Sequence, residues 1–128
     1  MTPVPVQRLE NALIAVAVLV AFVVTGAGWW WPLVLFLAFD LSMLGYLGGP
    51  RLGAATYNAV HSYVVPAGLA VTGLVFLAVG LDPFWAFFIS GLWAFHVGAD
   101  RALGYGLKLT EGFGHTHLGL IGKDRHAG

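Results

Sequence analysis

The chain has 128 residues, 59% of them hydrophobic and 9% charged, with six acidic and six basic side chains and no cysteine. A soluble domain carries about a quarter of its residues as charged groups, so lipid is the natural solvent for most of this sequence. Zero net charge removes the electrostatic case for nucleic-acid binding, and the lack of cysteine excludes a disulfide framework, a thiolate metal site and a thiol nucleophile.

A spanning helix needs roughly 20 apolar residues, and four runs qualify. The first covers about residues 10–28. Arg8 ahead of an apolar run also suits a signal peptide, but Gly26-Ala27-Gly28 leads straight into Trp29-Trp30-Trp31 and not into a polar chain. Three adjacent tryptophans fit an interfacial aromatic belt. The second run, about 30–48, is apolar apart from Asp40 and Ser42. "GGPRLG", residues 48 to 53, then predicts a tight turn. The third run, about 54–79, carries Pro66, where a kink is expected. "GLDP", residues 80 to 83, turns the chain into the fourth run, about 84–103, with Pro83 suited to a first helical turn. Residues 1–106 thus form a transmembrane domain and 107–128 a polar tail whose glycines argue against a long helix. The expected fold is all-α: an integral membrane bundle of four transmembrane helices with a short polar cytoplasmic tail.

Four spans put both termini on one side, together with Arg8, Arg51, Arg101, Lys108, Lys123 and Arg125; the other side shows only Asp82. The positive-inside rule then predicts a multi-pass cell-membrane protein with its N- and C-termini in the cytoplasm. The lipid bilayer is its expected partner, and a protomer this small would need a homo-oligomer to transport a solute.

Four ionisable groups converge at one depth. At ~1.5 Å per residue, Asp40 lies roughly 12 Å from the turn at Gly48, and His61 roughly 12 Å past Gly53. His96 and Asp100 lie about 15 and 9 Å before Gly106 by the same rise. Trp93, His96 and Asp100 share one stripe of the fourth run, and Asn58, His61 and Ser62 share a stripe of the third, with Tyr57 at its border. Ionisable groups inside spans face the bundle interior or a wet cavity, so these stripes are expected to point at one another. Gly45 and Gly49, spaced as G-x-x-x-G, would let the second helix approach a neighbour closely. Arg101 reads as a snorkelling interface anchor.

His at i and Asp at i+4 can present two ligands to one ion, and Asp40 and His61 can complete the set. Imidazole and carboxylate ligands suit a divalent metal such as Zn or Fe, which lowers the pKa of bound water and makes a hydrolytic nucleophile. His115 and His117 in the tail are further candidates at the mouth. Three other readings compete: a proton-coupled or solute pathway, haem held between His61 and His96, and a purely structural polar network. The half of each span away from the cluster is almost wholly apolar, which counts against a conduit.

Three segments carry a resemblance: "FDLSMLGYLGGPRLGAATYNAVHSYVVP" (39 to 66), "WAFHVGADRALGYGLK" (93 to 108) and "GFGHTHLG" (112 to 119). They resemble the small four-span bacterial membrane proteins of the family termed domain of unknown function 4260, over nearly the whole chain after the first helix. The resemblance implies a membrane location and supplies no activity. It marks Asp40, Gly45, Tyr46, Pro50, Arg51, Asn58, His61, His96, Asp100, Arg101, Gly104, Tyr105, Lys108, Thr116 and His117. Of these, Asp40, His61, His96, Asp100 and His117 are the expected metal ligands, supported by Asn58, Tyr46, Tyr105, Arg101 and Thr116. With Thr116 and His117 in the pattern, the tail is expected to fold back and bring His117 to the Asp40, His61, His96 layer.

Overall fold

A computed structural model describes residues 2–126 of a mostly helical chain. Helix α1 runs Pro3–Thr25. It begins well before residue 10 because Pro3 occupies the first turn, where its missing N–H leaves no bond unmade. The polar residues that follow do not interrupt it: Arg8 Nε donates to the Ala102 carbonyl at 2.8 Å and Asn11 Nδ2 to the Gln7 carbonyl at 2.6 Å. Gly26, left-handed at φ 71°, ends the helix.

The second apolar run is helical but only briefly α. A single turn, α2 (Trp31–Val34), passes into a 3-10 helix over Phe36–Gly48. Such helices rarely exceed three or four residues, and the sequence explains this one. Phe36, Phe39, Ser42, Gly45 and Gly48 repeat every third residue, and in a three-residue turn they stack on one side. In an α-helix the same five positions would wind about 240° around the axis. A second side carries Leu41, Leu44 and Leu47, exposed by 67%, 63% and 88%. At ~2.0 Å per residue the thirteen residues reach roughly 26 Å, against roughly 20 Å as α-helix.

Helix α3 (Pro50–Val60) starts at Pro50, so the turn before it shrinks to Gly49, at φ 112°. The third run does not kink at Pro66; it breaks at residues 61–63 and resumes as α4 (Val64–Ala78). Pro66 has no N–H for the Ser62 carbonyl and crowds the turn ahead of it, so the interruption falls upstream of the proline. Helix α5 (Phe84–Leu103) ends at left-handed Gly104. The tail is not plain coil: β1 (His115–Thr116) and β2 (Gly119–Leu120) form an antiparallel hairpin, closed by a short 3-10 turn over Gly122–His126.

Helix α5 is the central element, packed by α1 and α4, while the 3-10 helix pairs with α3. Two glycines set those approaches. A Cβ on Gly98 would fall 2.9 Å from the Asn11 backbone oxygen of α1, and one on Gly45 would fall 1.9 Å from Thr56 Oγ1 of α3. Gly49, the other half of the G-x-x-x-G spacing, faces open space and serves the turn. Three helical stretches are long and apolar enough to cross a membrane: Pro3–Thr25, Trp31–Gly48 and, taken across its break, Pro50–Ala78. Helix α5 is not among them, since its last turns carry His96, Asp100 and Arg101. Its polar end, with Tyr57, Phe95 and Val97, is where the buried core lies.

Gly98→Ala should cost about 1–3 kcal/mol, because a backbone cannot move aside as a side-chain tip can. Gly68→Ala on α4, where a Cβ meets nothing, should be neutral or stabilise by up to about 1 kcal/mol. Thermal unfolding of the detergent-solubilised variants compares the two.

Candidate metal centre

Three stretches of backbone bring the centre together. The 3-10 helix supplies Asp40, the break after α3 supplies His61, and α5 supplies His96 and Asp100 one turn apart. Asp40 Oδ1, His61 Nε2, His96 Nε2 and Asp100 Oδ2 all lie within 4.8 Å of one another. His61 Nε2 stands 3.2 Å from Asp40 and 3.4 Å from Asp100, while His96 Nε2 stands 3.4 Å from Asp40 and 3.2 Å from Asp100. The two nitrogens are 2.9 Å apart. Four ligands around one tetrahedral ion at ~2.0–2.1 Å are separated from each other by about 3.3–3.5 Å. Five of the six separations, at 2.9–3.4 Å, lie near those spacings, and the two carboxylate oxygens stay within 4.8 Å of each other.

Neighbouring groups aim the ligands. The Tyr57 carbonyl, which can only accept, lies 3.0 Å from His61 Nδ1. That contact favours the tautomer with the proton on Nδ1, which turns the Nε2 lone pair toward the other three side chains. The Tyr57 ring stacks on the His61 ring at 3.7 Å and 4°, and its hydroxyl reaches Asp100 Oδ2 at 3.5 Å. Phe36 and Phe39, one 3-10 turn apart, wall His96 with ring centroids at 4.3 and 5.2 Å. His96 is wholly buried and His61 nearly so; Asp40 is the open side, its side chain 24% exposed.

The broken helix leaves carbonyls that α5 takes up. Trp93 Nε1 donates to the Val60 carbonyl at 2.5 Å and Arg101 Nη2 to the His61 carbonyl at 3.3 Å, with the Arg101 guanidinium over the Tyr63 ring at 5.0 Å. Arg101 is thus a helix cap inside the bundle, where a snorkelling anchor was expected.

The tail does fold back, but His117 is not among the four. Its Nδ1 accepts the Leu107 N–H at 2.8 Å and its own N–H donates to the Leu107 carbonyl at 3.0 Å. The docking point is Asn58, whose side-chain amide pairs with the Lys108 backbone in both directions, Nδ2 to the carbonyl at 2.8 Å and N–H to Oδ1 at 2.6 Å. Thr116 pairs as a bridge with Lys108 and staples its own hairpin through a 2.6 Å bond to the Gly119 carbonyl. Tyr46 packs edge-on against Phe113 of the tail at 5.6 Å. Tyr105 is 46% exposed and lines a cavity of about 230 Å³ with Arg8 and Arg125, away from the centre. Sequence reasoning passed over Tyr57 and Phe113 as site residues. Tyr57 carries a signal, an aromatic residue one helical turn before a buried histidine; Phe113 carries none.

The two nitrogens at 2.9 Å leave no room for a flat macrocycle between them, since axial ligands of one haem iron stand about 4 Å apart at ~2.0 Å per bond. Fold and site together define a small helical protein with three stretches apolar enough to cross a membrane and a buried Asp/His cluster. The chain belongs to the family described as Domain of unknown function (DUF4260), whose model matches residues 5–121, so all but the first two residues of α1, all four clustered residues and the hairpin lie inside it. No curated protein and no solved structure matches the chain.

Two predictions follow from the tail contacts. Asn58→Ala frees two buried backbone groups at about 1–3 kcal/mol each, so limited proteolysis within residues 110–114 should accelerate by roughly tenfold or more. Burial, then the nearby Arg101 charge, holds the His117 imidazole below its ordinary value of 6.5. A depressed imidazole stabilises docking fully above about 6.5 and loses that contribution as pH falls toward the folded value. Hydrogen exchange at the Leu107 amide, corrected for intrinsic rates, should therefore show more opening at pH 5 than at pH 7.5.

Proposed function

We propose that this is a four-span membrane protein that binds one divalent metal ion through Asp40, His61, His96 and Asp100. The observation that carries the reading is the four-atom polyhedron, with edges of 2.9–3.4 Å among the five distances that involve a histidine nitrogen. Charge supports it as well. Two ionised carboxylates inside a span are expensive alone, and a dication offsets both. Imidazole and carboxylate donors without thiolate favour Zn or Fe over Cu(I).

The membrane setting rests on surface chemistry. Leucines and valines along α1, the 3-10 helix and α4 are exposed, Val24 by 78% and Leu47 by 88%, and a soluble monomer does not show apolar faces of that extent. Trp29, Trp30, Trp31 and Trp85 stand exposed at the end opposite the centre, where an aromatic belt belongs. Arg8 reaches Ala102, so the start of α1 and the end of α5 share one end with Arg51, Lys108, Lys123 and Arg125. That distribution supports termini in the cytoplasm and a centre in the cytoplasmic half.

Four protein ligands make a closed site. Asp40 is the partly exposed one; were it to leave a bound ion, His61, His96 and Asp100 would hold the metal with one position open to water, and the centre would then suit hydrolysis. A bound ion supplies Lewis acidity and a water of lowered pKa. A conduit fits less well, because the cavity in the other half, about 460 Å³ between α1 and α5, is lined by Val18, Phe22, Phe84, Phe87 and Phe88 with little polar surface.

Elemental analysis of the detergent-purified protein tests the reading. It should return close to one Zn or Fe per chain, and His96→Ala and Asp100→Ala should each weaken retention beyond the ~10–100-fold that loss of an outer partner costs. Metal-free wild-type protein, with both variants merely less stable, would make the cluster a polar clasp between helices.

A further inference from the structure

Among the described residues, Lys108 is the one buried cation near the centre that the metal reading leaves unused. The residue is 3% exposed, and Nζ has no hydrogen-bond partner. Among the described residues it also forms no ion pair. Its surroundings are aromatic: Nζ lies over the Phe113 ring at 3.7 Å and the Tyr57 ring at 4.8 Å. Tyr57 is the residue that stacks on His61 and reaches Asp100, so one wall of this box belongs to the centre itself.

The two rings offset part of the cost of burying the ammonium, but its N–H donors stay unmade, and unsatisfied donors in a native fold call for an explanation. Packing of a greasy stem does not supply one, since Lys stems bury while their heads reach water. Here the head is the part enclosed. Asn58 clamps the Lys108 backbone from both sides, so the position is built and not incidental. Burial lowers the ammonium to about 8, against the pull of Asp100 and Asp40.

We propose that Lys108 and the metal centre together receive an oxyanion, a phosphate or carboxylate group, with one oxygen on Nζ and another directed at the ion. This rests on the metal reading above and names the substrate class for the same site. A compact ammonium with three donors serves a phosphate as a point charge, and the rings of Tyr57 and Phe113 keep water from competing. Phe113, 46% exposed on the loop before β1, forms the outer wall of the box.

The test uses the full chain in detergent, loaded with Co(II), whose d–d absorption reports ligands at the ion. Inorganic phosphate, acetate and dihexanoyl phosphatidic acid are titrated against wild type, Lys108→Met and Lys108→Arg. At least one anion should shift the Co(II) band and raise Tm in wild type. Lys108→Met should retain one cobalt, melt no lower than wild type in anion-free buffer, and need at least tenfold more anion for the same shift; Lys108→Arg should respond between the two. A response to phosphatidic acid alone assigns the anion to a lipid head group, and a response to inorganic phosphate assigns it to a free anion.

The proposal is overturned if no anion perturbs wild type, or if Lys108→Met responds at the same concentrations. A lower Tm for Lys108→Met in anion-free buffer would also overturn it, because the cation would then be a packing element. If wild type takes up no cobalt, the metal reading fails separately. A Lys108-dependent rise of Tm with anion then preserves the anion site alone, and its absence overturns that too.

Discussion

Two carboxylates pointed at one spot inside an apolar bundle are untenable without positive charge, and the chain around Asp40 and Asp100 is arranged to receive it. Helix α5 does most of that work from one face. It presents His96 and Asp100 to the cluster, while Trp93 and Arg101 beside them take the Val60 and His61 carbonyls. Without those two donors the helix could not open at residues 61–63 so deep in the fold, because unpaired carbonyls there are costly. With the opening in place, His61 turns its ring against Tyr57 and its Nε2 toward the other three ligands. The ligand set and the broken helix are therefore one construction.

The convergence of the four groups was legible because ionisable residues in an apolar run have few places to go. Counting rise along each run sufficed to put them at one level, even though two of the runs are not the straight α-helices the count assumed. The form of those runs was harder to read. The 3-10 helix is announced by Phe36, Phe39, Ser42, Gly45 and Gly48, but a period of three is masked when Gly45 and Gly49 suggest a period of four. Pro66 signalled a disturbance; its site, three to five residues upstream, followed from where the freed carbonyls could find donors on α5.

Least legible were contacts made by backbone. Asn58 stands on a helical stripe with His61 and looks like a member of the cluster. Its amide instead serves as a length of strand for Lys108, fifty residues on. His117 was drawn toward the centre by its chemistry, yet its ring nitrogen is committed to the Leu107 amide. No side-chain pattern encodes a bond to a main-chain group on another element. The tail covers the cluster end through Phe113 against Tyr46 and Tyr57, a contact that no spacing in the tail announces.

A helix of three residues per turn has no drift, so Phe36–Gly48 behaves as a three-sided rod. One side meets α3 and α5, one presents leucines outward, and Asp40 shares the third with Leu37, Met43 and Tyr46. Chain length within the rod therefore acts like a reading frame. Adding or removing three residues returns every later side chain to its own side, whereas a change of one or two before Asp40 rotates it by a third of a turn per residue. One such rotation sets a carboxylate on the leucine side. The spacing of this segment is constrained as tightly as its residues.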